Sequence, residues 1–171
     1  MKKAILLSLL FVACVFTASA QKFALIDMEY ILKNIPAYEQ ANTQLNQASQ
    51  QYQSEVEAKA KEAEALYQEY QKASASLSAA QKTQREEAIV AKEKEAAELR
   101  KKYFGPEGEM AKKQEALIAP IQDKIYEAVK QISEQKGYAA VVDRGSAQSI
   151  IFASPSIDIS NEVLSRLGYS N

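Results

Sequence analysis

Histidine is absent from all 171 residues, and tryptophan with it. Without imidazole there are no histidine metal sites, no histidine-based catalytic triads and no imidazole proton shuttles. The only cysteine, Cys14, lies in the N-terminal apolar run and is lost if that run is removed, which leaves no disulfide and no thiolate chemistry. Glycine and proline are scarce, with five and four copies, and none of either falls in the 68 residues between Pro36 and Gly105. No P-loop is present to use a nucleoside triphosphate. Lysine and arginine (21) nearly balance aspartate and glutamate (22), so there is no basic footprint for nucleic acid. These absences argue against an enzyme, and no catalytic, cofactor-binding or metal-binding residue is assigned.

What remains is organised around the glycine- and proline-free stretch, rich in Ala, Gln, Glu, Lys and Ser. With heptad position a at Ile35, the a positions are Asn42, Ser49, Val56, Ala63, Tyr70 and Leu77. The d positions are Tyr38, Leu45, Tyr52, Lys59, Leu66, Ala73 and Ala80, and eleven of the fourteen are apolar. That is a narrow seam on an otherwise polar helix, which needs a second helix or charge pairs one turn apart, such as Glu55 with Lys59 and Glu57 with Lys61. An unbroken helix over these residues would run to about 100 Å. The serine-rich stretch from Ser74 to Ala80 instead predicts a hairpin apex, because serine competes for backbone hydrogen bonds. A continuous helix, or an apex at Phe104-Gly105-Pro106-Glu107-Gly108, are the alternatives. On the return arm Ile89, Ala96, Leu99 and Tyr103 form one stripe, with Lys82 and Glu86, and Glu98 and Lys102, as expected charge pairs.

The chain opens with Lys2 and Lys3, an apolar run from Ala4 to Phe16, and Ala18-Ser19-Ala20, the pattern of a secretory signal cleaved after Ala20. Lipidation at Cys14 is the rival reading, and Phe11 fits it poorly. Cleavage would leave 19 basic against 22 acidic residues. Phe23 to Asp27 reads as a strand buried on both faces. Pro36 sits where a helix's first turn tolerates proline. Residues 104–108 predict a break, and Met110 to Gln135 a more apolar helix that Pro120 should bend or restart. After Gly137, Tyr138 to Asp143 and Ser149 to Phe152 read as two strands of a hairpin, followed by a short helix capped by Asp158 and closed by Gly168.

The fold class is therefore α+β. A β-rich head, residues 21–35 and 137–171, carries a long antiparallel helical hairpin arm, residues 36–136, with its apex near 74–80 and a break near 104–108. The head is about fifty residues, too few to fold securely alone, and self-association through Phe23, Leu25, Ile26, Val141, Val142, Ile150, Ile151 and Phe152 is expected. Asp27 and Asp143 end strands, where capping is a better explanation than acid-base chemistry.

Phe23-Ala-Leu-Ile-Asp27-Met-Glu-Tyr-Ile-Leu, the long Ala/Gln/Glu/Lys hairpin, Gly137-Tyr-Ala-Ala-Val-Val-Asp143 and Asp158-Ile-Ser-Asn-Glu-Val-Leu, in that order after a signal peptide, resemble the Skp/OmpH family of periplasmic chaperones. The resemblance covers the whole mature chain. It implies a homotrimer with a central β-barrel of strands from three subunits, and three helical hairpins enclosing a cavity. It further implies an ATP-independent periplasmic holdase whose partners are itself and unfolded outer-membrane proteins. A structural coiled-coil spacer or tether of the envelope is the alternative. The family's basic arms are not matched, since residues 55–115 hold 12 basic and 13 acidic side chains. Membrane-surface contact is thus expected to be weak at most, through Arg100-Lys101-Lys102 and Lys112-Lys113. Tyr67, Tyr70, Leu77, Tyr103 and Phe104 are the candidates for contact with a client, although Tyr70 also falls in the seam.

Overall fold

The computed structural model describes residues 21–147 and 150–169. The expected signal peptide lies outside them. The described chain is mostly helical, with one two-stranded sheet. In order come β1 (Lys22–Ile26), α1 (Met28–Lys33), α2 (Pro36–Ala73), a 3₁₀ turn (Ser74–Ser76), α3 (Ala79–Phe104), α4 (Glu109–Lys136), β2 (Tyr138–Asp143), a second 3₁₀ turn (Pro155–Ile157) and α5 (Ser160–Arg166). Two compact units divide the chain. The arm unit is residues 35–124, and the head unit runs up to Asn34 and resumes at Ile125. Residues 125–136, expected with the arm, therefore belong with the sheet.

In the arm unit, α2 and α3 pair antiparallel. Each a and d position from Tyr38 to Leu77 is buried or half-buried, and Ala41 and Ala48 join the seam from the neighbouring g position. The most buried α2 residues, Ala41, Ala48, Val56 and Ala63, are spaced by seven, eight and seven, nearer the 3.6 periodicity of a straight helix than the strict 3.5 of a supercoil. On α3 the stripe is Lys82, Ile89, Lys92, Ala96, Leu99 and Tyr103. Ser78 starts α3 with a capping box, its Oγ accepting from the Gln81 N–H while the Gln81 side chain accepts from the Ser78 N–H at 2.9 Å. The five residues from Ser74 to Ser78, three of them serine, are thus enough to reverse the chain.

The joint between α3 and α4 depends on small residues. A side chain at Gly105 would collide with the Lys101 carbonyl oxygen, and one at Gly108 would lie 2.8 Å from the carbonyl oxygens of Lys102 and Tyr103. α4 runs from Glu109 to Lys136 with Pro120 inside it, so the proline does not restart the helix.

In the head unit β1 and β2 run parallel, with Phe23 opposite Ala140, Leu25 opposite Val142 and Ile26 opposite Asp143. Parallel strands need a crossover, and all of the chain from α1 to α4 supplies it. This corrects the expected hairpin. Residues 150–154 form no regular structure, and Ser149 lies outside the described residues. The physical reason is that β1, the most apolar strand, satisfies both of its edges. On the side away from β2, Leu25 bridges to Asp158 in parallel, and its carbonyl accepts the Ile159 N–H at 2.9 Å. β2 thus takes its partner from across the arm, and its other edge, where a hairpin strand would pair, stays open among the described residues. Asp158 is also not the helix cap itself. Ile159 occupies that position, and Asp158 Oδ1 instead accepts from the Ser160 N–H (2.9 Å) and hydroxyl (2.6 Å). Gly137 and Gly168 both take positive φ, 70° and 86°, as glycines that end helices.

Ile31, Ile125, Ile132 and Val163 are the fully buried large side chains, and all belong to the head unit. Ile132→Ala should cost about 2–5 kcal/mol of head stability by transfer and cavity terms, measured by denaturant unfolding. Hydrogen exchange should be much faster at Ser74–Ala80 than in β1, since the apex is exposed and held by few contacts. Equal protection would mean that the apex is covered by another molecule.

Candidate functional site: the sheet face and the two flanks of the arm

Side chains alternate along a strand, so the parallel register sorts the sheet into two faces. Ala24, Ile26, Val141 and Asp143 share one, which is covered. Phe23, Leu25, Ala140 and Val142 share the other, on which Phe23 is 53% and Val142 37% exposed. Beyond β2, Ile151 is fully exposed and Phe152 is 85% exposed, and both line a cleft with Leu25, Arg144 and Pro155. Of the residues expected to form an oligomer core, Leu25 and Ile26 are already buried within one chain, and Val141 and Ile150 are half-buried. The other four present apolar surface to solvent. The outer edge of β2 pairs with nothing among the described residues.

The strand-end aspartates hold the head's chain turns. Asp27 caps α1, its Oδ1 accepting from the Tyr30 N–H at 2.9 Å. Arg144 bridges Asp27 Oδ2 and Asp158 Oδ2, both at 3.3 Å. Asp143 Oδ1 accepts from the N–H groups of Met28 (3.1 Å) and Gly145 (3.2 Å). Burial pushes the Asp143 carboxyl up, but these and neighbouring hydrogen bonds together outweigh it and hold the group below its ordinary value. Each of the three carboxylates is thus engaged with the fold, which fits the capping reading over acid-base chemistry.

The arm has two unlike flanks. On one, the helices are tied by polar rungs. Glu62 meets Lys92 at 3.2 Å, Glu69 meets Arg85 at 3.6 Å, and the Tyr103 hydroxyl donates to Glu55; nearer the apex the Tyr70 hydroxyl donates to Glu86, which lies on the heptad line of Glu93. Tyr103 also stacks on Tyr52, centroids 4.0 Å apart and planes within 6°, with Phe104 edge-on to Tyr52. The expected Glu55 to Lys59 pair is replaced, because Glu55 takes the phenol and Lys59 turns to Glu62 at 3.0 Å. Hydrogen bonds from Lys59 and Lys92 hold the Glu62 carboxyl low, and Glu95 and Glu62 push Lys92 up.

The other flank is open. A cleft of about 430 Å³ lies between the helices, with Ala60, Ala63, Ala96 and Ala97 along it. Glu64, Tyr67, Glu93 and Arg100 complete its lining. Among the described residues neither Glu93 nor Arg100 has a hydrogen-bond or ion-pair partner.

This geometry sorts the candidates for client contact. Tyr67 and Phe104 are exposed, and Tyr70 and Leu77 are half-buried. Tyr103 is a correction. It is 8% exposed, and its ring and hydroxyl are taken by Tyr52 and Glu55, so it holds the arm together instead of facing outward. Sequence reasoning missed exposed Val90 and the alanine-lined cleft. Ala63 and Ala96 were legible as seam positions, but Ala60 and Ala97 beside them carried no signal of their own.

The Tyr103–Glu55 bond gives a pH dependence of definite sign. Its partner Glu55 pushes the Tyr103 phenol from 10.0 up to about 12. A raised phenol contributes fully below its unfolded value and loses that contribution as pH climbs from about 10 to about 12. The phenol in turn holds the Glu55 carboxyl below 4.5, so that share is complete above 4.5 and is lost as pH falls through the lower folded value. Arm helicity by circular dichroism should drop above pH 10, and Tyr103→Phe should remove the part of that drop due to this bond. An identical alkaline profile in the variant would show that the bond does not stabilise the arm.

No helix among the described residues is long and apolar enough to cross a membrane. A family model for OmpH-like outer membrane proteins matches residues 22–167, which takes in the sheet, both helices of the arm and α5. The chain belongs to the OmpH-like family. The fold of this OmpH-like chain is similar to a crystal structure of a proposed outer membrane chaperone (OmpH-like) from Caulobacter crescentus CB15. The TM-score is 0.66, over 87% of this chain and 85% of that one, at 11% identity. At that identity the likeness speaks to fold alone. No curated protein matches the OmpH-like chain in sequence.

Proposed function

We propose that the protein is an ATP-independent periplasmic holdase that binds unfolded outer-membrane proteins in the space between the arms of a homotrimer. The observation that carries this reading is the uncovered apolar face of the sheet. Phe23 and Val142, with Ile151 and Phe152 beyond β2, expose apolar surface on a small head that other copies of the same chain can cover. The open edge of β2 offers hydrogen bonds to a neighbouring subunit, and closure of strands from three subunits into a barrel would remove the exposed edges. The arm supplies the other half. Its helices spend their apolar residues on one thin seam, so contact with a client falls to sparse exposed groups such as Tyr67 and Phe104 on a surface of balanced charge. Many weak contacts suit a client that must be released to fold elsewhere. Membership of the OmpH-like family and the secretory-signal pattern of residues 1–20 support this reading, and catalysis has no part in it.

The test is dilution of a chemically unfolded outer-membrane β-barrel protein into buffer with the purified mature chain and no nucleotide. Light scattering should fall by most of its amplitude at a one-to-one ratio of trimer to client. Unchanged scattering, together with stable binding to a folded envelope protein, would favour a spacer or tether.

A further inference from the structure

The two flanks of the arm differ in a way that the seam does not require. One is closed by the rungs Glu62 to Lys92 and Glu69 to Arg85, while the other leaves the 430 Å³ cleft with unpartnered Glu93 and Arg100 at its rim. We propose that this open flank is a docking groove for an extended, unfolded peptide segment carrying an apolar side chain next to a basic one. The inference rests on the holdase reading and adds which face of the arm is used and which segments it prefers.

Four observations define the occupant. Ala63 and Ala96 are seam residues with short side chains, and Ala60 and Ala97 flank them, so the groove is shallow and apolar with backbone close beneath. Its volume falls toward the low end of the roughly 300–1,000 Å³ range of ligand pockets, enough for one or two side chains and too little for a folded surface. From Ala60 to Tyr67 the helix rises about 10 Å, the reach of about three residues of extended chain. Tyr67, 46% exposed, gives the groove a flat aromatic wall at low entropic cost.

Charge then selects the neighbour of the apolar anchor. Among the described residues Glu93 has no partner, and Glu64 accepts only from the neutral Gln68 amide at 2.9 Å, so both carboxylates are left to meet a cation. Arg100 can take a peptide carbonyl oxygen. The lining is net acidic, and a basic flanking residue fits it where an acidic one is repelled.

The probes are two fluorescein-labelled ten-residue peptides of otherwise equal composition, one with a central Phe flanked by lysines and one with the same Phe flanked by glutamates. Anisotropy at low salt should show the lysine peptide binding several-fold more tightly. Ala97→Leu, which fills the groove from an exposed position, should weaken it by about tenfold. Glu64→Gln with Glu93→Gln should erase the preference between the peptides, whereas Glu87→Gln, outside the groove, should leave it in place. Equal binding of the two peptides, or binding unchanged by Ala97→Leu, overturns the groove. Scattering assays on the same samples separate the two ideas. Full protection of an unfolded client by wild type beside unchanged peptide binding in Ala97→Leu sinks the groove and leaves the holdase. Loss of protection in wild type sinks the holdase whatever the peptides do.

Discussion

Val142→Asp combined with Phe152→Asp should convert the assembled protein into a folded monomer at micromolar concentration. Both side chains are exposed in a single chain, Val142 at 37% and Phe152 at 85%, so neither charge is buried when the chain folds alone. Between subunits the same positions would place unpaired carboxylates in an apolar interface, at a cost of several kcal/mol each. Two such costs on each subunit shift the assembly constant by many powers of ten. The fully buried Ile31, Ile132 and Val163 are untouched, and helical content by circular dichroism should stay close to that of wild type. Mass in solution decides the matter. A wild type that is itself a stable monomer, or a double variant that assembles unaltered, removes the sheet face from the account.

The arm was the most legible part of the chain because its seam obeys one local periodicity. Every a and d position from Tyr38 to Leu77 lost solvent exposure, and the serines at 74, 76 and 78 turned the chain. Such patterns are written within a few residues. The pairing of the head strands was not legible, since the nearest apolar runs around Gly145 carry a hairpin signal, while the true partner of β2 lies across the whole arm. Tyr103 shows the same limit at one residue. Its place on the α3 stripe was visible, but the stack on Tyr52 and the bond to Glu55 depend on the register of two helices, which no single-helix pattern sets. Ala60 and Ala97 of the open flank carried no signal of their own, because alanine is what any exposed helix prefers.

The second large effect concerns arm length. Removing one heptad from each helix, Leu66–Lys72 and Thr83–Ile89, joins Ala65 to Ala73 and Lys82 to Val90 and preserves the seam, since Ala73 takes the d position left by Leu66 and Ala96 that left by Ile89. The Glu69 to Arg85 rung leaves as a pair, and so do Tyr70 and Glu86. No charge is stranded. Each helix shortens by about 10 Å, the apex from Ser74 to Ser78 is kept, and the head is unaltered. Assembly should therefore persist while large clients lose most of their protection, because contact is spread along the arm. Tyr67→Ala alone should have only a modest effect, one weak contact among many.

The most direct measurement is light scattering of a large unfolded outer-membrane β-barrel protein, diluted from denaturant into wild type and into the heptad-shortened protein at equal subunit concentration, with the mass of both assemblies determined beforehand. The expected result is equal assembly mass, strong suppression by wild type and little by the shortened chain. Equal suppression by the two would contradict a client held between the arms.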